Sequence, residues 1–228
     1  MEKRIEDIEN IKGDSLENLE GLDNLDSLDA KKITMGNEEE NRERGLEPNK
    51  GEDNRLEDMY MSRNWLVRMY FRWRVDTAIC LARLRGSSRI LDFGCGGGWL
   101  EKKLKGYKVF GYDNNPEKTF VEDYRKLVGI DKIFALDVFE HVPYEVIDEI
   151  LEEFKKVASE RGFDIVVSIP TENLLSRKVR RLVGKKEVPD EHITSYNQIV
   201  KLLNKHFKFK KRVNFFTVCH IYLYGFGE

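Results

Sequence analysis

Three groups of residues have types and spacings that suit chemistry. The first is Asp92-Phe-Gly94-Cys95-Gly96-Gly97-Gly98. Spaced glycines let a turn approach a ligand with no Cβ in the way, and a helix start beyond them offers unpaired N–H groups. The second is Asp113, 19 positions after Gly94, with Asn114 beside it. One carboxylate there can accept from two adjacent sugar hydroxyls. The third is Asp137-Val-Phe-Glu140-His141, two acids and an imidazole within five residues. These are the groups of proton transfer or of a cation site. The glycine spacing also discriminates between ligands. A dinucleotide turn needs G-x-G-x-x-G, but its last position falls on Trp99 counted from Gly94 and on Glu101 counted from Gly96. That spacing argues against a nicotinamide cofactor.

The elements that must position these groups are legible from periodicity. Residues 60–84 have helical character, with Trp65 and Trp73 read as core, and Gly86 closes them. Arg89–Phe93 reads as a buried strand leading into the glycines, 99–105 as a short helix, and 108–113 as a second strand. The apolar run 133–137 ends in an acid. Residues 144–161 form an amphipathic helix with Val146, Ile147, Ile150, Leu151, Phe154 and Val157 on one face. A strand follows at 163–170. Ser195-Tyr-Asn-Gln198 is a capping box for a helix over 199–207, and two strands fill 208–227. Strands alternating with helices predict an α/β, doubly wound, mainly parallel sheet of seven strands, or a reduced six, with an antiparallel C-terminal hairpin.

Residues 90–100 resemble the first motif of class I methyltransferases that use S-adenosylmethionine (SAM), an acid followed by G-x-G-x-G after the first strand. The resemblance implies a Rossmann-like methyltransferase fold over 59–228 and a SAM site at Asp92, Gly94, Cys95, Gly96 and Gly98. It further implies that Asp113, helped by Asn114, meets the ribose, and that Asp137 belongs to the cofactor site. Asp137 to Pro143 is similar to the D-V-x-E-H-V segment of the branch that methylates metabolites and some nucleic acids. His141 is then a candidate base with Glu140 beside it, a hydrogen-bonded loop residue, or part of a metal set of Asp137, Glu140, His141 and His192. The metal reading resembles the E-x-x-E-H pattern of small-RNA and ubiquinone-pathway O-methyltransferases, with Asp137 standing where that pattern has Glu. Only residues 114–132 separate the second strand from the next, where the family keeps a helix and a strand. Either 118–121 is a short third strand, the preferred reading, with Asp123 at the adenine, or 116–128 is a helix and the strand is lost.

The charge distribution sets the remaining expectations. Residues 1–58 hold 19 acidic and 9 basic side chains, net −10, leaving 22 and 30, net +8, of the chain's 41 and 39. No aromatic residue precedes Tyr60, so 1–58 lacks the apolar surface to offset chain entropy and reads as a disordered acidic tail. Leucines at 16, 19, 22, 25 and 28 wind around a helix instead of forming a seam. Three scattered cysteines, no signal-like start and no long apolar stretch imply a cytoplasmic chain without a transmembrane segment. Arg177, Lys178, Arg180, Arg181, Lys185 and Lys186 form a basic run that suits a solvated face, a phosphate-bearing acceptor, RNA or another anionic group. A SAM-dependent methyltransferase acting on a small-molecule acceptor is the leading expectation, ahead of an RNA methyltransferase and a non-catalytic SAM-binding protein.

Overall fold

Leu91, Ile133, Ile165 and Val167 point to one side of their strands, and Ile90, Phe134 and Val166 to the other; all are buried. Strands apolar on both faces need a layer of helices on each side. A computed structural model of the protein describes residues 65–171, 193–215 and 218–227. The chain divides into two units, residues 1–40 and 41–228, and every described residue lies in the second. The 1–58 tail, the basic run and His192 lie outside the described residues.

The elements are α1 (Trp65–Ala82), β1 (Arg89–Phe93), α2 (Trp99–Lys103), β2 (Lys108–Tyr112), β3 (Lys132–Leu136), α3 (Tyr144–Val157), β4 (Gly162–Pro170), α4 (Tyr196–His206), β5 (Lys208–Phe215) and β6 (Cys219–Gly227). They form a six-stranded sheet in the order β2-β1-β3-β4-β6-β5. The first four strands are parallel, and β6 and β5 add as an antiparallel pair. This is the reduced form of the expected sheet.

Helices α3 and α4 cover one face and α1 and α2 the other. The six apolar positions foreseen on α3 are its buried residues, each contributing about 1.5–3 kcal/mol by leaving water. Gln198 accepts from the Ser195 backbone N–H at 3.0 Å, so the capping box starts α4 as expected. Among the described residues, no helix is long and apolar enough to cross a membrane.

Two expectations need correction. Trp65 and Trp73 are 60% and 51% exposed, so they are surface residues of α1 and not core. The segment between β2 and β3 forms neither the short strand at 118–121 nor the helix at 116–128; it folds as turns with one 3-10 turn at Tyr124–Lys126. Side chains and a strand end satisfy its backbone instead. Asp113 N donates to Thr119 Oγ1 at 3.2 Å, and that hydroxyl donates to Val121 O at 2.7 Å. Phe120 and Val121 both donate to Gly111 O, at 2.9 and 3.1 Å. The expected strand would need those same groups, and β2 is therefore the edge strand.

Candidate functional site

The parallel strands β1, β2, β3 and β4 end at one edge of the sheet, and the chemically suggestive residues gather there. The chain leaves β1 through Gly94, Gly96 and Gly98, with φ of 78°, 49° and 66°. L-residues with a side chain avoid this region, which explains the repeated glycine. Gly94 N and Cys95 N donate to Tyr112 O at 2.7 and 3.1 Å, tying the turn to the end of β2. Asp113 Oδ2 accepts from Gly96 N at 2.9 Å, and Oδ1 from Asn115 N at 3.0 Å. The three glycines have different neighbours. A Cβ on Gly94 would collide with Val138, and one on Gly98 would press on the Phe120 ring at 3.2 Å. A Cβ on Gly96 would meet nothing within 4 Å. The open side of the turn is at Gly96, beside Asp113.

Under the turn lies a buried acidic group. Asp92 is buried on β1 opposite Gly111 of β2. Glu101 of α2 reaches the same place, and a Cβ on Gly111 would collide with its carboxylate. Both Glu101 oxygens are buried, with no hydrogen-bond partner among the described residues. Burial, reinforced by the charges of Glu101 and Asp113, pushes the Asp92 carboxyl well above the usual carboxylate range. Burial likewise raises Glu101. The Cys95 thiol is driven up by burial and then by the same acids, so it is not a ready thiolate. A site of crowded, partly desolvated acids favours a cationic ligand.

Beyond β3, Asp137 adopts φ 58° and forms an ion pair with Arg74 of α1, both side chains being nearly buried. Its Oδ1 accepts from Ser168 Oγ of β4 at 2.7 Å. Phe139–His141 form a 3-10 turn in which Phe139 and Glu140 are buried and His141 is half-buried. The Glu140 carbonyl accepts from Ile193 N at 2.8 Å and Thr194 N at 3.3 Å, and Thr194 Oγ1 donates to Val142 O at 2.6 Å. The start of α4 is thereby fastened to the loop after β3.

The methyltransferase domain family matches residues 68–209, which span every group just described. The chain belongs to that family. No curated protein matches it in sequence. Among solved structures it is similar to the N-methyltransferase NodS from Bradyrhizobium japonicum WM9 (14% identity, 70% of this chain and 97% of that one, TM-score 0.54). It also resembles magnesium protoporphyrin IX methyltransferase from Synechocystis PCC 6803, solved with bound S-adenosylhomocysteine (19%, 75% and 93%, TM-score 0.52). A Pyrococcus horikoshii OT3 protein is similar too (17%, 73% and 93%, TM-score 0.55). These likenesses show that the sheet is the Rossmann-like fold of such enzymes.

In this methyltransferase the structure brings Asp92, Gly94, Cys95, Gly96, Gly98 and Asp113 together around one turn. Asn114 directly follows Asp113. Asp123 caps the 3-10 turn, accepting from Arg125 N and Nε at 2.9 Å each. Burial works against its charge, yet Arg125 holds its carboxyl below the usual range. Asp137, Glu140 and His141 lie along the loop after β3. Among the described residues no three His, Cys, Asp or Glu side chains converge on a metal-sized site. Sequence reasoning missed Glu101, Arg74 and Ser168. Gly111 was the one available signal, a small residue inside the apolar run Lys108–Tyr112.

Proposed function

We propose that this methyltransferase holds SAM on the Gly94–Gly98 turn and serves a small-molecule acceptor, one bearing a phosphate being the best match to the basic run at 177–186. The reading rests on one observation: the turn is open at Gly96, and the Asp113 carboxylate flanks that opening. Bound there, SAM would supply a methyl group already activated on a sulfonium. The chain's own residues then have four tasks. Asp113 accepts from the ribose hydroxyls, with Asn114 and Asp123 toward the nucleoside. Asp92 and Glu101 complement the positive charge of the ligand. Asp137, fixed by Arg74 and Ser168, holds the loop after β3 against Gly94 through Val138. His141, with Glu140 behind it, stands where an acceptor's proton would leave. Alignment of the two reactants would supply much of the rate. The loop after β3 fits the metabolite and nucleic-acid branch by its residues Asp137 to Pro143. RNA is the second acceptor class, because the basic run would also neutralise phosphates.

Calorimetric titration of the full chain with SAM, S-adenosylhomocysteine and NAD tests this reading. Both adenosyl ligands are expected to bind and NAD is not. Asp113→Ala should weaken SAM by roughly 10- to 100-fold, the worth of charge-assisted hydrogen bonds, whereas His141→Ala should leave it near wild type. NAD binding without SAM binding, or normal SAM affinity in Asp113→Ala, would sink the assignment. An RNA acceptor would instead show as tight RNA binding that falls steeply with salt.

A further inference from the structure

A second polar group stands on the same edge of the sheet, away from the glycine turn. Tyr196, the first residue of α4, places its hydroxyl 2.8 Å from His220 Nδ1 and against the Tyr222 hydroxyl. Arg212 stands opposite Tyr222 across the β5–β6 pair, on the same face of the sheet. The direction of this run follows the histidine tautomer. With Nδ1 as acceptor, the Tyr196 hydroxyl donates to it and leaves its oxygen to accept from Tyr222. Burial and the Arg212 charge hold the His220 pKa below its ordinary value, so the ring is neutral at pH 7. A neutral ring that accepts at Nδ1 carries its proton on Nε2, and Nε2 makes no hydrogen bond to a described residue.

The placement is as informative as the polarity. His220 pairs with Ile169, one residue before the end of β4. Tyr196 follows the segment fastened to the Glu140 carbonyl. The group stands two strands from β3, roughly 10 Å at the usual strand spacing, which is the span of a small molecule. In that tautomer the group offers two kinds of donor, Nε2–H of His220 and the guanidinium N–H groups of the exposed Arg212. No described Asp or Glu side chain joins the run.

We propose that His220 and Arg212 form an anchor for an oxyanion carried by the methyl acceptor, a phosphate or a carboxylate, with Tyr196 and Tyr222 as positioning residues that fix the imidazole tautomer. The proposal rests on the methyltransferase reading of the neighbouring loop. It gives the acceptor two ends, one held at β6 and the other delivered past β3.

Long-range 1H–15N spectra of the 15N-labelled full chain, saturated with S-adenosylhomocysteine, test the anchor. The His220 signals are assigned by their loss in His220→Gln. Nδ1 is expected in the unprotonated range. Nε2–H should shift saturably with inorganic phosphate or with acetate at constant ionic strength, and the tighter of the two identifies the oxyanion. Arg212→Gln should weaken that titration at least fivefold, and Tyr196→Phe should release the tautomer to a mixture. Neither variant should alter S-adenosylhomocysteine affinity. A protonated Nδ1, no saturable shift with either anion, or an unchanged titration in Arg212→Gln would overturn the anchor. Wild-type protein that binds phosphate at His220 but no adenosyl ligand would instead overturn the function on which the proposal rests.

Discussion

The two halves of the sheet's carboxyl edge are built by different means. At β1 and β2 the backbone does most of the holding: Gly94 and Cys95 donate to Tyr112 O, Gly96 to Asp113, and Phe120 and Val121 to Gly111 O. At β3, β4 and β6 side chains from distant parts of the chain do it: Arg74 with Asp137 and Ser168, and Tyr196 with His220 and Tyr222. A site made of backbone fails when a side chain is added. A site made of paired side chains fails when one is removed. The two halves should therefore respond to opposite kinds of substitution.

The largest effect is expected where a nearly buried charge loses its partner. Arg74→Met would leave the Asp137 carboxylate with Ser168 as its side-chain partner among the described residues. Removing one member of a buried pair costs about 3–5 kcal/mol, mostly as the penalty on the charge left behind. Chemical denaturation should show that loss, and adding Asp137→Asn to Arg74→Met should recover part of it. A single variant within about 1 kcal/mol of wild type would mean that the pair is not desolvated.

Glycine substitutions separate folding from binding on the other half. Gly94→Ala meets both a left-handed backbone and the Val138 side chain. Strain of about 1–2 kcal/mol and overpacking of about 1–3 kcal/mol should both appear in the melting curve. Gly96→Ala carries the strain but meets no neighbour, so its stability loss should be the smaller of the two. Its added methyl points into the open side of the turn, and SAM affinity should suffer most there. If the two variants lose stability and affinity in the same proportion, Gly96 does not line the ligand site.

The same division explains what was legible beforehand. The turn, Asp113 and the strand ends were readable because their residue types answer local steric and hydrogen-bonding needs within about 25 residues of sequence. The α3 face and the Ser195 cap were readable for the same reason. Arg74 was not: an arginine among several on an amphipathic helix gives no sign that it will be buried against an acid 63 positions later. The surface placement of Trp65 and Trp73 was missed because ring size suggested core, whereas the neighbouring Val75, Ala78 and Leu81 fill that role. The segment after Asp113 defeated both readings because Thr119 and Gly111 satisfy its backbone without a strand.

A pH effect follows from the crowded acids. In the free protein the Asp92 carboxyl titrates above its unfolded value, so the folded state binds more protons and stability falls as pH rises from the unfolded pKa toward the raised one. A cationic ligand favours the ionised carboxyl, so SAM binding should release protons, and affinity should climb with pH through the raised pKa. Calorimetry in buffers of different ionisation enthalpy reads the proton count directly. Proton uptake, or affinity that falls with rising pH, would remove the acids from the ligand's surroundings.

The smallest effect is expected from deleting residues 1–58. The segment carries net −10 and no aromatic ring, against net +8 for the rest. Attraction between the two is long-ranged in charge but screened beyond roughly 8 Å at physiological ionic strength, and few apolar side chains are available to convert it into packing. The shortened protein should keep its melting temperature and its SAM affinity at 0.15 M salt, with any difference confined to low salt. A melting temperature lowered by more than about 5 °C, equivalent to roughly 1–2 kcal/mol in a domain of this size, would show that the acidic segment packs on the methyltransferase domain. A loss of SAM affinity alone would place it at the cofactor half of the edge.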